Sequence, residues 1–387
     1  MAKFKKKYID PTLLRPTVID VDLEALKHNY QILSSLFSPA QLIPVVKANA
    51  YGHGIVTCSK YLEMWGACAF AVGLVEEGIE LREAGIRAPI LVLGGLSGGQ
   101  IKLYLDYALD ITASSLFKLD AINEEAEKSG KIARVHLKVD TGMERIGVHH
   151  YSFRETIKNL KKYKRCQVVG IYSHFAAPGL YPEFTTEQLK RFLDCVSILE
   201  DCYQRKIMRH IAASAGGILY PESRLDAVRA GIALYGIYPN GVATKAVDLR
   251  PVMKLSSKVV YFKVVKKGAA VSYDLTWTAP EDTRIVTVPI GYGDGYFRGL
   301  TNKGSALIRG RRYPIVGRIC MDQLMINIGQ DEAYNGDEVV LIGQQSGEKI
   351  TVSEIANLLE TNTYEVLVCT HKRVPRRYHI ENEEFIA

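Results

Sequence analysis

Two lysines, two arginines, one histidine and one serine stand at or near the ends of short apolar runs of this chain. Lys47 closes the run Leu42–Val46 in VVKANAYGHG. A lysine at the mouth of a buried strand is partly desolvated, which disfavours its charged form. The neutral amine is a nucleophile and can form a Schiff base with a carbonyl. An arbitrary lysine past a strand end is a surface residue far more often, because buried lysines are rare. HLKVDTGMERIG places Lys138 inside a strand and Arg145 in the loop beyond it. Two cations brought into one site repel each other. GIYSHFAAPG ends its run at His174, HIAASAGG brings Ser214, and VRAGIALYG brings Arg229, Gly231 and Ile232. A glycine lets backbone approach an anion closely.

The chemistry requires elements that converge. Thr17–Val21 reads as an extended segment, and Asp22 as the N-cap of an amphipathic helix, Leu23–Leu36. After the Lys47 run come Ala69–Gly73, Ile90–Gly94, Asp110–Ser114, Val135–Asp140, Val168–His174, His210–Ser214 and Ala227–Gly236. Helix-like stretches separate most of them, for example Val75–Ala84, Leu116–Ser129 and Phe153–Lys161. Eight short strands alternating with helices predict an α/β fold, a closed parallel (β/α)8 barrel. Its polar residues fall at the carboxyl ends of strands, where barrel sites are built.

The turn-rich YPNGVAT, Tyr238–Thr244, reads as a connector. Beyond it lie strand-like runs at Val252–Val265, Arg284–Pro289, Ala306–Ile308, Tyr313–Val316, Leu324–Ile328 and Glu338–Ile342. One short helix is expected at Ser353–Leu359 and a last strand at Val374–Tyr378. The expected domains are therefore a barrel, 1–242, and a mainly β domain, 243–387. The N-terminal segment is a candidate to pack on the second.

Composition sets the class. Of 387 residues 47% are hydrophobic and 24% charged, as in ordinary globular proteins. The net charge of +7 suits anionic ligands and does not argue for nucleic acid. Lys3, Lys5–Lys7 and the run Lys161–Arg165 read as solvated faces. Seven scattered cysteines without a CxxC pair point to reduced thiols in a cytoplasm, with no metal site and no disulfide framework. No signal peptide or membrane span is visible.

VVKANAYGHG resembles the pyridoxal-phosphate signature of alanine racemases, nearly complete over ten residues. The resemblance extends over both domains, in order. It implies that Lys47 carries pyridoxal 5′-phosphate as a Schiff base and that Tyr51, Ser214, Gly231, Ile232 and Tyr364 serve its phosphate. Arg229 then faces the pyridine nitrogen and His174 lies near the ring. Arg145 meets the cofactor phenolate and the substrate carboxylate, oriented by a carbamylated Lys138. An arginine keeps its proton, so the pyridine nitrogen stays unprotonated and the electron sink is weakened, which restrains side reactions. A decarboxylase of this barrel class would carry an acid there.

In the second domain VSYDLTWTA gives Tyr273, which matches the family's second catalytic base, supplied by the partner subunit of a homodimer. GYGDGYFRG gives Tyr292 at the site's mouth. GRICMDQ gives Met321 near the substrate carboxylate, flanked by Cys320 and Asp322. Among 22 tyrosines any single one is more often packing than catalyst; context selects Tyr273. A tyrosine of ordinary acidity is a poor base at neutral pH, so His174 and Arg229 are expected to lend it positive charge. The implied function is an isomerase that interconverts L- and D-alanine with Lys47 and Tyr273 as bases on opposite faces, feeding peptidoglycan. A racemase acting on serine or lysine is the alternative, and a non-catalytic cofactor-binding protein is the alternative of another class. Ala213 stands where relatives often carry Asn, Glu144 where many carry Gly, and Pro178 near where they often carry an acid.

Overall fold

The structure, a computed structural model, describes residues 15–203, 206–240, 246–381 and 383–386. The Lys3 and Lys5–Lys7 cluster and most of the expected connector's second half lie outside the described residues. The chain divides into two compact units, one of residues 25–250 and one formed by the N-terminal segment to residue 24 with residues from Pro251 onward. The contact division falls at 250/251, eight residues beyond the expected boundary at 242/243.

In the first unit eight parallel strands close a ring. They are β2 (Gln41–Pro44), β3 (Phe70–Val72), β4 (Ile90–Val92), β5 (Asp110–Ala113), β6 (Ala133–Asp140), β7 (Cys166–Tyr172), β8 (Met208–His210) and β9 (Ala227–Ala230), after β1 (Val18–Asp22) of the other unit. β3 to β8 pair side by side in chain order, and β9 pairs with β2. The bridges Val45↔Ala71 and Ala213↔Arg229 complete the circuit. Buried on both faces, these strands read as short continuous apolar runs rather than alternating ones. Helices run between most of them, the longest being Pro182–Tyr203. The helix Leu23–Phe37 buries Leu26, Tyr30, Leu33 and Phe37 at helical spacing. On the same face the buried Asn29 amide donates to Leu234 O and Arg250 O and accepts from Arg250 N, so it is satisfied. Asp22 is the last residue of β1, directly before this helix.

The second unit is mainly β. β1 lies in the middle of its larger sheet, antiparallel to β10 (Met253–Lys258) and parallel to Arg376–Ile380. The run 252–265 is two strands, β10 and β11 (Tyr261–Val265), which join different sheets. A second helix, Thr363–Val368, follows the expected one, and Glu383–Ile386 pairs on as a further strand after the one expected to be last.

One buried carboxylate organises this unit. Asp294, with no exposed side-chain surface, accepts two hydrogen bonds from Arg15, at 2.9 and 2.7 Å, and one from Gly291 N at 3.0 Å. Arg373 Nε lies 3.4 Å away. Removing Asp294 strands the partly exposed Arg15 and Arg373 charges and the Gly291 N–H, at a cost of roughly 1–3 kcal/mol. Asp294→Ala is therefore expected to lower unfolding stability by about that amount, read in urea; a change below about 1 kcal/mol would contradict the assignment.

All seven cysteines are unpaired. No helix among the described residues is long and apolar enough to cross a membrane. Among the described residues no group of three or more His, Cys, Asp or Glu side chains is placed to hold a metal ion.

Candidate active site

The carboxyl ends of the barrel strands collect Lys47, Tyr51, Lys138, Arg145, His174, Ser214, Arg229, Gly231 and Ile232. Lys47 does not simply end a strand. It opens a left-handed turn in which Ala48, Asn49, Ala50 and Tyr51 all have φ between +52 and +56°. Each non-glycine residue there costs roughly 1–2 kcal/mol, so the surroundings must hold it. Glu77 Oε1 accepts from Ala48 N at 2.5 Å, while Glu77 Oε2 accepts from Gly73 N at 2.7 Å. Asn49 Oδ1 accepts from Ile55 N at 2.9 Å. Such strain clusters at functional sites. The Lys47 side chain is open to solvent, yet enough protein surrounds it to push its amine below the usual lysine value. Burial acts first, followed by Arg145 and Arg229, with Glu77 opposing.

Lys138 is buried, with Nζ 3.3 Å from Val139 O and 4.9 Å from the Tyr172 ring centre. Burial, then Arg229 and Arg145, holds this amine well below its ordinary value; only Asp140 pulls the other way. Arg145 lies in the exposed loop after β6.

Arg229 is 2% exposed and spends its fork on the barrel interior. Nη2 donates to Ser173 O at 2.8 Å and Ile211 O at 3.0 Å, and Nη1 to His210 O at 3.0 Å. Nη1 also meets His210 Nδ1 at 2.8 Å, and Nη2 meets His174 Nδ1 at 3.2 Å. Burial lowers its pKa to about 10, which leaves it charged at neutral pH. A guanidinium only donates, so His210 Nδ1 must accept. Neutral His210 then offers Nε2–H to His136 Nδ1, 2.9 Å away, and His136 Nε2 lies 3.4 Å from Asp110 Oδ2. Arg134 closes the chain on Asp110 at 2.7 Å. Burial and Arg229 hold His210 well below its ordinary value. The same causes keep His174 neutral, so it does not lend the positive charge expected of it; Arg229 does carry charge.

Sequence reasoning missed His210, His136 and Asp110. His136 stands two residues before Lys138 and four before Asp140, the period that sends side chains to one face of a strand. That spacing was the available signal.

The phosphate-binding candidates form a cradle. Ser214 Oγ accepts from Gly231 N at 3.0 Å and Ala233 N at 3.3 Å. A Cβ on residue 231 would stand 2.4 Å from Tyr51 Oη, so only glycine leaves room there. Ile232 is buried beside it. Hydroxyls, amides and nearby cations with few acids are the donor set that a phosphorylated, carboxylate-binding group requires. The residues present thus fit pyridoxal phosphate.

The second unit gathers the remaining candidates around Gly291–Gly295. Tyr292 N donates to Cys320 O at 3.1 Å and Gly293 N to Met321 O at 2.9 Å. Ser272 Oγ donates to Arg318 O at 2.6 Å and lies 3.5 Å from Cys320 Sγ, which ties Tyr273's turn to the loop that carries Cys320 and Met321. Asp322 accepts from Arg373 at 2.5 Å. Tyr364 sits on the helix Thr363–Val368; after that helix, Cys369 packs against Gly295 so closely that a Cβ would clash. Tyr273, Tyr292, Met321 and Tyr364 are all exposed on this unit.

Comparisons with known proteins agree with both halves. The family model described as alanine racemase, N-terminal domain, matches residues 21–239, and that for the C-terminal domain matches 252–378. The alanine racemase of Carboxydothermus hydrogenoformans is 42% identical over 368 residues, covering 94% of this chain and all of that one. The alanine racemase structure from Clostridium difficile 630 superposes with a TM-score of 0.92 at 37% identity, over 97% of this chain and 99% of that one. The alanine racemase structure from Bacillus anthracis with bound L-Ala-P gives 0.91 at 33% identity, over 97% and 98%. The chain belongs to the alanine racemase family and is an isomerase of that family.

Proposed function

We propose that this enzyme interconverts L- and D-alanine with pyridoxal 5′-phosphate. The observation that carries the reading is the set of Lys47, Lys138, Arg145 and Arg229 beside a Gly231 cradle that a Cβ would fill. When bound, the cofactor supplies an electron sink that makes the α-proton of an amino acid acidic. Lys47 would hold its aldehyde carbon, and Tyr51, Ser214, Tyr364 and the Gly231 and Ile232 amides its phosphate. Arg229, fixed by three carbonyls, would face the pyridine nitrogen and keep its own proton. Arg145 binds the substrate carboxylate, where a fork suits better than a point charge, and Met321 would serve the same carboxylate. The desolvated Lys138 amine reacts with carbon dioxide, forming an N–C bond and releasing a proton, and the resulting N6-carboxylysine anion orients Arg145. Tyr273 removes the α-proton of the L-isomer and Lys47 returns one to the opposite face; for the D-isomer the order reverses. Tyr273 comes from the partner protomer of a homodimer, with Tyr292 at the mouth. Cytoplasmic D-alanine for peptidoglycan is the physiological product.

The test is proton NMR in heavy water with chiral analysis of products. L-alanine should lose its α-proton and yield D-alanine, with L-serine and L-lysine at least about tenfold slower, the discrimination that added side-chain atoms meet in a tight site. Faster turnover of serine or lysine would move the assignment to a broader racemase and direct attention to Ala213. No exchange with any of them would leave a cofactor-binding protein.

A further inference from the structure

We infer that Asp140 is the positioning residue for Arg145: its carboxylate gathers the four consecutive amides of residues 142–145 and so fixes where the guanidinium meets a substrate carboxylate. This rests on the reading of Arg145 proposed above. Asp140 is the last residue of β6 and is buried. Its Oδ1 accepts from Gly142 N at 2.8 Å, Met143 N at 3.0 Å and Glu144 N at 3.2 Å. Its Oδ2 accepts from Arg145 N at 3.1 Å. One side chain thus supplies an acceptor for each backbone N–H from Gly142 to Arg145.

The loop bends around that carboxylate at a conformational cost. Gly142 has φ +129° and Glu144 φ +53°. A glycine at 144 would adopt this conformation freely, whereas a glutamate needs an external hold; the bonds to Asp140 provide one. The chain then returns against β6, where a Cβ on Gly147 would stand 2.7 Å from Asp140 N. Val148 and His149 pair with Val139 and Asp140. Both ends of the loop are therefore tied, and Arg145 projects from its exposed turn. Among the described residues its guanidinium makes no ion pair. Its backbone therefore sets where the guanidinium starts from, while the N6-carboxylysine proposed at 138 would orient its far end. The amide bonds outweigh burial and keep the Asp140 carboxyl below the usual range, so it stays an acceptor at working pH. Both carboxylate oxygens of Asp140 are thus engaged by loop amides.

The experiment uses the holoenzyme and propionate, a carboxylate without an amine, as competitive inhibitor. Asp140→Asn presents an amide to N–H donors it cannot accept on both sides. It should weaken propionate inhibition and raise the KM for L-alanine together by about tenfold, with kcat changed less than about threefold, because a guanidinium displaced by a fraction of an ångström binds less well while the bases are untouched. Asp140→Glu keeps the charge and lengthens the reach; it should show the same loss and serves if the first variant does not fold. Arg145→Gln is the reference. The double variant Asp140→Asn with Arg145→Gln should bind propionate no worse than Arg145→Gln alone. Unchanged propionate affinity in both Asp140 variants while Arg145→Gln weakens it would overturn the positioning role alone. Additive losses in the double variant would also overturn it, because Asp140 would then act other than through Arg145. Unchanged affinity in Arg145→Gln would overturn the carboxylate reading and this inference together.

Discussion

Lys47→Ala is expected to lower α-proton exchange of alanine by at least about 10⁴-fold in both directions. One substitution removes both the amine that holds the cofactor and one of two proton-transfer groups, and a single positioned acid–base group is worth about 10²–10⁴-fold. The fold should survive, because the side chain is open to solvent and the turn is held by Glu77 and Asn49 rather than by the lysine. Borohydride reduction followed by peptide mass analysis should find cofactor mass on the wild-type peptide bearing residue 47 and none in the variant. The lowered pKa of Lys47 gives a second readout. A lower pKa leaves more neutral amine at a given pH, so capture of pyridoxal phosphate by cofactor-free protein should reach its plateau below the ordinary lysine range. Arg145 is one cause of that lowering; Arg145→Gln removes a like charge, favours the ammonium form, and should move the inflection to higher pH. Near-normal exchange by Lys47→Ala would remove the lysine from the reaction.

Much of this site is local in sequence, and that part was legible. Each barrel strand carries its polar residues at its own end, so the order of motifs already placed Lys47, Lys138, Arg145, His174, Ser214 and Arg229 on one rim. What was not legible depends on partners far along the chain. β1 lies inside the expected range 1–242, with the N-terminal segment only a candidate to pack on the second domain; its neighbours are β10 and Arg376–Ile380, more than two hundred residues on. Local pattern carries no information about that pairing. The left-handed turn at Ala48–Tyr51 runs against the preferences of its own residues, and a glutamate on the helix Val75–Glu83 helps impose it. His174 reads as a charge donor from its residue type alone; only burial among Arg229, Lys138 and Arg145 makes it neutral. The chain of His210, His136 and Asp110 becomes visible once four adjacent strands, β5, β6, β7 and β8, are in register.

Tyr273→Phe is expected to separate the two directions. The hydroxyl alone is removed, so the ring's shape and the turn remain. That turn is strained on both sides of the tyrosine, with Ser272 at φ +70°, Asp274 at +60° and Leu275 at +51°. It is held by Ser272 Oγ on Arg318 O at 2.6 Å and by Asp274 with Arg318 Nε at 3.0 Å, neither of which involves the Tyr273 hydroxyl. Tyr273 is 70% exposed on its unit, so stability should change by less than about 0.5 kcal/mol. The loss should therefore be chemical. Removal of the α-proton of L-alanine should slow by about 10²–10⁴-fold, the worth of one acid–base group. D-alanine presents its proton to Lys47, which can remove it and return a solvent deuteron to the same face. Its exchange in heavy water should continue without inversion, so D-alanine becomes labelled while little L-alanine forms. Equal slowing of exchange from both isomers would instead make Tyr273 a support for the cofactor or the dimer. Full racemisation in both directions would remove the second base from the mechanism and leave Lys47 to serve both faces.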